Sequence, residues 1–163
     1  MSALTAALAL LCAVWVGPHG AVLHQRIQRL GGARYLAGVS EHIDLAANLA
    51  GVPVEVYAAL VREESSFDPS TVSPVGAAGL AQLMPGTVHF REWRRVCELT
   101  PRDCRAAGLI IGARHLARMY EICGADWELA ISRYRGNDCV PTKRAKHTLE
   151  TARLIRVAMG GGS

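Results

Sequence analysis

The stretch VREESSFDPSTVSPVGAAGLAQLMPGTV, residues 61–88, decides both the fold and the candidate site. It begins on a helix predicted over 53–65, whose periodicity of about 100° per residue puts Glu64 on the apolar face with Tyr57 and Leu60. Burial disfavours a charged carboxylate, so we expect Glu64 to keep its proton near neutral pH and to donate it. The neutral variant Glu64→Gln is then expected to be at least as stable as the parent. The alternative is a buried glutamate that pairs with an arginine and only holds the fold.

The helix is followed by a loop of small residues with specific backbone requirements. Ser73-Pro74 predicts a turn, and Gly76 and Gly79 permit backbone conformations that other residues avoid. The side-chain amide of Gln82 both donates and accepts hydrogen bonds, as recognition of a sugar requires. This density of special residues favours a binding loop over a simple connection between helices. Asp68 precedes a proline and is interpreted as a turn residue, not as a second acid.

Three segments of the chain carry a resemblance to a known family. Residues 64–87, from ESSFDP through SPVGAAGLAQLMPGT, resemble without a gap the signature of the soluble lytic transglycosylase (SLT) domain, which has a lysozyme-like fold. Residues 111–116 (IGARHL) are similar to the family's Gly-x-x-Tyr-Leu helix, and residues 130–136 (AISRYRG) are similar to its Ala-x-x-x-Tyr-Asn-x-Gly segment. Together these segments extend over roughly 40–159 in the family's order.

The resemblance implies an enzyme that cleaves the β-1,4 bond between N-acetylmuramic acid and N-acetylglucosamine in peptidoglycan glycan strands. The product is a 1,6-anhydromuramoyl end, formed without water, with Glu64 as the single general acid and base. Ser65 is expected to hydrogen-bond near Glu64 or the sugar, and the hydroxyl of Tyr134 is expected to reach the Glu64 carboxylate. No cofactor or metal is expected. The substrate-binding residues implied by matching position are Ser65, Ser73, Gly79, Gln82, Met84 and Tyr134.

The chain departs from the family pattern at three positions. Gly108 stands where the family usually has Asn, His115 replaces a Tyr, and the Asn-x-Gly after Tyr134 is shortened to Arg135-Gly136. These departures concern substrate binding and leave the acid and the loop intact. Three alternatives stay open: a hydrolytic lysozyme of the same fold, a peptidoglycan-binding assembly subunit of a secretion or conjugation machine with weak catalysis, and an unrelated disulfide-bonded helical protein.

Composition supports a helical fold and limits the partners. Half of the 163 residues are hydrophobic, and the alternation of β-branched residues typical of strands is almost absent, so we predict an all-α catalytic domain. We expect it to act as a monomer. The net charge of +4 suits an anionic polymer such as cell wall, and no basic run is dense enough to indicate nucleic acid. Helices are predicted over 40–51, 53–65, 87–97, 100–122, 127–134 and 142–159, with Ser40, Thr100 and Asp126 as N-terminal caps.

The N-terminus predicts export. Residues 3–16 form an uncharged apolar run that ends at Gly17-Pro18, a pattern typical of the apolar region of a signal peptide. We therefore predict a signal peptide or N-terminal membrane anchor over 1–21, a linker or broken helix over 22–38, the catalytic domain over 39–159 and a flexible tail over 160–163. The expected location is the periplasm or cell envelope, with the inner membrane as a site of anchoring.

Four cysteines follow the export segment: Cys97, Cys104, Cys123 and Cys139. An even number in an exported chain predicts disulfides, for which the sequence allows three pairings. We favour Cys97–Cys104 and Cys123–Cys139, because each of these pairs flanks a predicted loop.

Overall fold

In the computed structural model, residues 23–25, 28, 38–101 and 103–160 are described. Within these ranges the chain is helical and forms no strand, which confirms the predicted all-α fold. None of the helices found there is long and apolar enough to cross a membrane. In chain order the helices are α1 (Val39–Ala50), α2 (Val54–Ser65), α3 (Val88–Leu99), α4 (Cys104–Ile122), α5 (Trp127–Tyr134) and α6 (Lys143–Ala158).

The hydrophobic core lies between α1, α2, α4 and α6. α1 packs on α4, α2 packs on α6, and α5 contacts both α4 and α6. Leu23, which lies before α1, is also fully buried in this core. Burial of these side chains, at about 25 cal/mol per Å² of apolar surface, is the main favourable term in the stability of the domain. The large side chains that are almost fully buried include Tyr57, Phe67, Ile43, Leu60, Leu109, Leu116, Ile131 and Ile155.

The segment before α1 is described only in part. Residues 23–25 and 28, within the predicted linker or broken helix, are helical. The predicted export or anchor segment over 1–21 lies outside the described residues, as do residues 161–163 of the predicted tail.

The predicted N-terminal cap at Asp126 is confirmed, and the structure adds a cap at Thr142. The Asp126 carboxylate accepts the N–H of Leu129 at 3.1 Å at the start of α5, and the Thr142 hydroxyl accepts the N–H of Ala145 at 3.1 Å at the start of α6. Each bond satisfies one of the backbone donors that the first turn of a helix leaves without a partner.

The predicted caps at Ser40 and Thr100 are wrong. α1 begins one residue earlier, after Gly38 in a left-handed conformation, so Ser40 lies inside the helix. Thr100 ends α3, where its hydroxyl donates to the carbonyl of Val96 at 3.1 Å. α4 begins only after Asp103, which has no side-chain cap bond.

The buried face of α6 is partly polar. Leu154 is 60% exposed, although the neighbouring Ile155 is fully buried. Thr148 and Thr151 are buried instead, so α6 brings hydroxyl groups into the interior. One of these hydroxyls, that of Thr148, reaches the candidate site.

Two disulfides connect the helices in the pairing favoured from the sequence. Cys97–Cys104 links the end of α3 to the start of α4, and Cys123–Cys139 links the end of α4 to the segment between α5 and α6. The favoured pairing is thus confirmed, and each bridge closes a loop on a different side of the candidate site.

Candidate active site

Glu64 lies near the end of α2, at the edge of the core. Tyr57 and Leu60 on the same face of α2 are fully or almost fully buried, and 13% of the Glu64 side chain is exposed. Its Oε1 accepts the Nε–H of Arg135 at 2.6 Å. The expectation that Glu64 is surrounded by apolar groups without a charged partner is therefore wrong, and the alternative of a glutamate paired with an arginine is the observed geometry.

Arg135 is fixed on α6 through the rest of its guanidinium group. Nη1 donates to the Thr148 hydroxyl at 3.0 Å and to the Arg144 carbonyl at 3.3 Å. Thr148 is fully buried, and its hydroxyl donates to the same carbonyl at 3.0 Å. We call Arg135, Thr148 and the carbonyl of Arg144 the α6 anchor. It ties the residue after α5 to α6 and points one cation at Glu64.

The loop between α2 and α3 is held mainly by its own backbone. Ala78 and Leu83 exchange two backbone hydrogen bonds of 3.1 and 3.0 Å. The hydroxyl of Ser73 accepts the N–H of Ala77 at 3.0 Å, as in a turn closed by a serine side chain. Ser73 therefore braces the loop, and its predicted contact with substrate stays a prediction.

Gln82 also supports this loop. Its backbone is left-handed, with φ of 47°, which is uncommon for a residue with a side chain. Its amide nitrogen donates to the carbonyls of Thr71 at 3.1 Å and Gly79 at 2.9 Å. Both donors are thus used inside the loop, and the amide oxygen is the part of Gln82 available to a sugar.

Tyr134 lies beside Glu64 but does not bind its carboxylate. The Tyr134 hydroxyl donates to the carbonyl of Ala81 in the loop at 2.7 Å, so the predicted hydrogen bond to Glu64 is wrong. Burial raises the pKa of Tyr134, and the nearby charge of Glu64 raises it further. The phenol is therefore a neutral donor that joins α5 to the loop.

Gly112 on α4 allows the two buried tyrosines to approach the loop. A Cβ at this position would lie 2.6 Å from the Cβ of Ala81, 2.8 Å from the Tyr57 hydroxyl and 3.1 Å from the Tyr134 hydroxyl. No side chain fits in that space. The glycine of the family's Gly-x-x-Tyr-Leu helix is thus needed for packing directly beneath the site.

Ser65 is turned away from the carboxylate. It is 5% exposed, and its hydroxyl donates to the carbonyl of Val61 within α2 at 3.1 Å. The predicted hydrogen bond near Glu64 is therefore not made.

Trp93 was not singled out by sequence analysis, yet it lines the concave surface beside the site. Its indole N–H donates to the carbonyl of Cys104 at 3.0 Å. A Cβ added to Gly79 or to Gly108 would lie 3.0 Å from the indole ring. The absence of a side chain at position 108 therefore has a physical reason: the Trp93 ring occupies the space that a larger side chain would need. The signal for this was a tryptophan on α3 together with a missing side chain at 108.

Glu64 is not among the residues that line the concave surface, which is formed by the loop, α3 and the start of α4. Met84, predicted to line the cleft, is 46% exposed on the neighbouring loop. Arg105 gives the surface one cationic group. Its lining residues are Pro69, Ala78, Gly79, Leu80, Ala81, Leu83, Trp93, Cys104, Arg105 and Gly108.

His115 forms part of a row of rings that ends at Tyr134. Its ring centroid lies 5.1 Å from that of Tyr134 and 4.9 Å from that of His89 on α3. Burial, followed by the charges of His89 and Arg118, lowers the pKa of His115 to about 4. The imidazole is therefore neutral at physiological pH and acts as an aromatic spacer between α3 and α5.

The two other acidic residues near Glu64 have local partners. Asp68 Oδ1 accepts the N–H of Ser70 at 2.8 Å and its hydroxyl at 2.6 Å, which confirms the predicted turn role. These two hydrogen bonds lower the pKa of Asp68. Glu63 Oε1 lies 3.7 Å from Nε2 of His147 on α6.

Comparison with known proteins places these features in one family. The family described as Transglycosylase SLT domain matches residues 41–149, which include Glu64, the loop, Gly112 and Arg135. The soluble lytic murein transglycosylases of Escherichia coli (strain K12) and of Escherichia coli O157:H7 are each 50% identical to this chain over 36 residues. That match covers 22% of this chain and 6% of each relative.

Proposed function

The chain belongs to the transglycosylase SLT domain family, and we propose that it is a peptidoglycan lytic transglycosylase in which Glu64 is the single general acid and base. Its substrate is the β-1,4 bond between N-acetylmuramic acid and N-acetylglucosamine, and its product carries a 1,6-anhydromuramoyl end. The observation that carries this proposal is the position of Glu64, largely buried near the end of α2 and directly before the braced loop.

The two oxygens of Glu64 support different roles. Oε1 is bound to Arg135 at 2.6 Å, which fixes the orientation of the carboxyl group. Oε2 accepts no hydrogen bond from the residues that the structure describes, so it is the oxygen we assign to proton exchange with substrate. Within hydrogen-bond reach of the glycosidic oxygen, a single carboxyl group serves first as acid and then as base.

The proposed reaction returns Glu64 to its starting state. The proton on Oε2 moves to the glycosidic oxygen as the bond between that oxygen and C1 of the muramoyl unit breaks. The C6 hydroxyl oxygen then bonds to C1, and its proton moves to the Glu64 carboxylate. No water is consumed, and no second carboxylate is needed, in contrast to the paired acids of most glycosidases.

The two disulfides support action outside the cytoplasm. Disulfides such as Cys97–Cys104 and Cys123–Cys139 persist in oxidising compartments, which include the periplasm. We therefore propose that the domain works in the periplasm or cell envelope, where peptidoglycan is found.

A second candidate function is a peptidoglycan-binding assembly subunit of a secretion or conjugation machine, with weak catalysis. The Glu64–Arg135 ion pair favours it, because Arg135 occupies one oxygen of the carboxylate that the catalytic role requires. A hydrolytic lysozyme of the same fold is the third candidate. It would consume one water molecule for each bond cleaved, and its product would carry a reducing end.

Mass spectrometry of the muropeptides released from purified peptidoglycan tests all three. We expect 1,6-anhydromuramoyl products, and we expect Glu64→Gln to lose about 10²–10⁴-fold in rate, the usual contribution of one general acid–base group. Glu63→Gln is the matched control and should keep nearly all activity. Reducing-end products would favour the lysozyme, and binding without any product would favour the assembly subunit. A loss below ~10-fold in Glu64→Gln would remove Glu64 from the mechanism.

A further inference from the structure

We propose that three cations on α6 form a binding surface for the carboxylates of the stem peptides that peptidoglycan strands carry. The three residues are Lys143, Arg144 and Lys146, and we call them the cationic rim. This inference rests on the proposed function, because it names the part of the same substrate that lies beside Glu64. It predicts that the domain prefers strands whose stem carboxylates are free.

The positive charge of the chain is concentrated on α6. This helix contains five Lys and Arg residues and one acidic residue, Glu150, so its formal charge equals the +4 of the entire chain. All three residues of the cationic rim are exposed. Among the described residues none of the three is in an ion pair with a carboxylate, whereas Arg156 on the same helix pairs with Glu55. The rim is therefore available to an anionic partner.

The stability of α6 does not account for the rim. Its three cations lie within the first four residues of the helix, and the first turn contains no acidic residue. The backbone N–H groups at this end carry a partial positive charge, so an anion stabilises this end of a helix and a cation destabilises it. The charges thus bring no gain to the helix itself, which favours a role in binding.

The cationic rim begins at the candidate active site. One guanidinium group connects the two: Nε of Arg135 donates to Glu64 Oε1 at 2.6 Å, and Nη1 donates to the backbone carbonyl of Arg144 at 3.3 Å. The side chain of Arg144 also turns towards α2, where its Nη2 donates to the carbonyl of Glu63 at 3.5 Å. The rim therefore starts beside the residue to which we assign proton transfer.

The lysines of the rim continue from this point along the exposed side of α6. Lys143 lies one helical turn before His147, so the two side chains share a side of the helix. The carboxylates in this region belong to Glu63 and Glu150, which lie 3.7 and 3.9 Å from the two ring nitrogens of His147. Neither of them forms an ion pair with Lys143 or Lys146, so both lysines keep their charge for a ligand.

The substrate brings carboxylates to this place by its own connectivity. In the proposed reaction the bond to C1 of a muramoyl unit breaks at Glu64, and the same sugar ring carries the stem peptide on its lactyl group. An extended peptide spans about 3.3 Å per residue, so a stem of a few residues extends ~10 Å from the ring. The sugar hydroxyl and acetamido groups are neutral. The stem carboxylates are thus the anions that complement the rim.

The experiment compares two substrates: soluble strands that carry their stems, and the same strands after their carboxylates have been converted to amides. The measured quantity is the ratio of kcat/KM for native strands to kcat/KM for amidated strands, with anhydromuropeptides quantified by mass spectrometry. The parent should prefer native strands roughly fivefold, the effect of about one exposed ion pair. Lys143→Glu should bring the ratio to within about twofold of unity through a higher KM. Its thermal unfolding temperature should be unchanged or higher, because an acid suits this end of the helix.

Arg153→Glu is the matched control. It changes the net charge by the same amount, also on the exposed side of α6, and Arg153 has no ion pair among the described residues. Arg153 lies about 15 Å farther along the helix than Lys143, which exceeds the Debye length of about 8 Å at physiological salt. Its ratio should stay within about twofold of the parent ratio. Equal losses in Lys143→Glu and Arg153→Glu would mean attraction by overall charge alone and would overturn the rim.

The remaining outcomes separate the rim from the proposed function. Anhydro products that form without any preference of the parent for native strands would overturn the rim and leave the proposed function intact. If no anhydro product forms, the proposed function fails, and co-sedimentation with insoluble peptidoglycan makes the same comparison without catalysis. Weaker binding both of Lys143→Glu to native material and of the parent to amidated material then supports the rim. Binding that Lys143→Glu weakens equally on native and amidated material would indicate phosphate groups of another envelope polymer and would overturn the carboxylate partner.

Discussion

Glu64 lies between two regions that are held in opposite ways. On one side, the loop over 66–87 is closed by short-range backbone bonds and by the side chains of Ser73 and Gln82. On the other side, the α6 anchor depends on side chains that are distant in sequence: Arg135 meets Glu64 across 71 residues. The loop forms one wall of the site with few degrees of freedom, whereas the anchor sets the charge beside the acid and can change without rebuilding the loop.

A large loss of stability is expected where the distant contact is broken. Glu64→Gln leaves the buried Arg135 without its anion, and breaking one partner of a buried pair costs about 3–5 kcal/mol. We expect a loss of about 3 kcal/mol at pH 7, because the amide oxygen still accepts the Nε–H. This reverses the expectation from the sequence, which treated Glu64 as an unpaired buried acid. Urea unfolding of the parent and the variant at pH 7 measures the difference.

The matched change on the loop side is Ser73→Ala. It removes one hydrogen bond, from the N–H of Ala77, and should cost about 1 kcal/mol. Equal losses in the two variants would contradict the contrast between the regions, since the ion pair would then be worth no more than a turn bond.

The disulfides sharpen the comparison further, because one lies on each side. Removing Cys123–Cys139 by a double alanine substitution should cost about 3 kcal/mol, and removing Cys97–Cys104 about 2.5 kcal/mol, since the first closes the longer loop. Hydrogen exchange should show faster opening around Arg135 in the first variant and around Trp93 in the second. Loss of protection at both places in both variants would mean that the regions open as one unit.

The smallest effect at neutral pH is expected for His115→Tyr, which restores the family's residue. The pKa of His115 falls from 6.5 unfolded to about 4 folded, so the unfolded chain binds more protons between these values. Stability of the parent therefore decreases as pH falls from about 6.5 to about 4, and the change ends below that. The variant should therefore lose less stability over this window. Burial also lowers the pKa of His42, but His42 is present in both proteins and contributes equally to both. Parallel thermal unfolding curves at pH 7 and pH 4.5 for the two proteins would contradict this origin.

The features that could be predicted from the sequence are those held by contacts between residues close in sequence. The end of α2, the braced loop, the cap at Asp126 and the disulfide pairing depend on neighbours along the chain, where spacing and residue type decide the outcome. The Glu64–Arg135 pair depends on how α2, α5 and α6 pack, which helical periodicity does not specify. The available signal was two anomalies of opposite charge: a carboxylate on an apolar face and an arginine in place of an asparagine.

The caps that failed show the same limit on a smaller scale. Thr100 had the residue type of a cap, but its hydroxyl bonds to Val96 and ends α3 instead. The Thr100 hydroxyl donates to a carbonyl of the preceding helix, α3, and does not cap the following helix, α4. Nothing in the local pattern of Thr100 and Pro101 distinguishes the two uses.

The indole of Trp93 gives the concave surface an optical signal of its own. Its ring lies against the backbones of Gly79 and Gly108, so a saccharide that covers this surface takes water from the ring and moves its fluorescence to shorter wavelength. Trp127, whose ring is stacked on Tyr120 of α4 with centroids 3.9 Å apart, can be changed to Phe to lower the background. Under the proposed function, combining this substitution with Glu64→Gln gives a sensor that reports the binding of a glycan strand without cutting it.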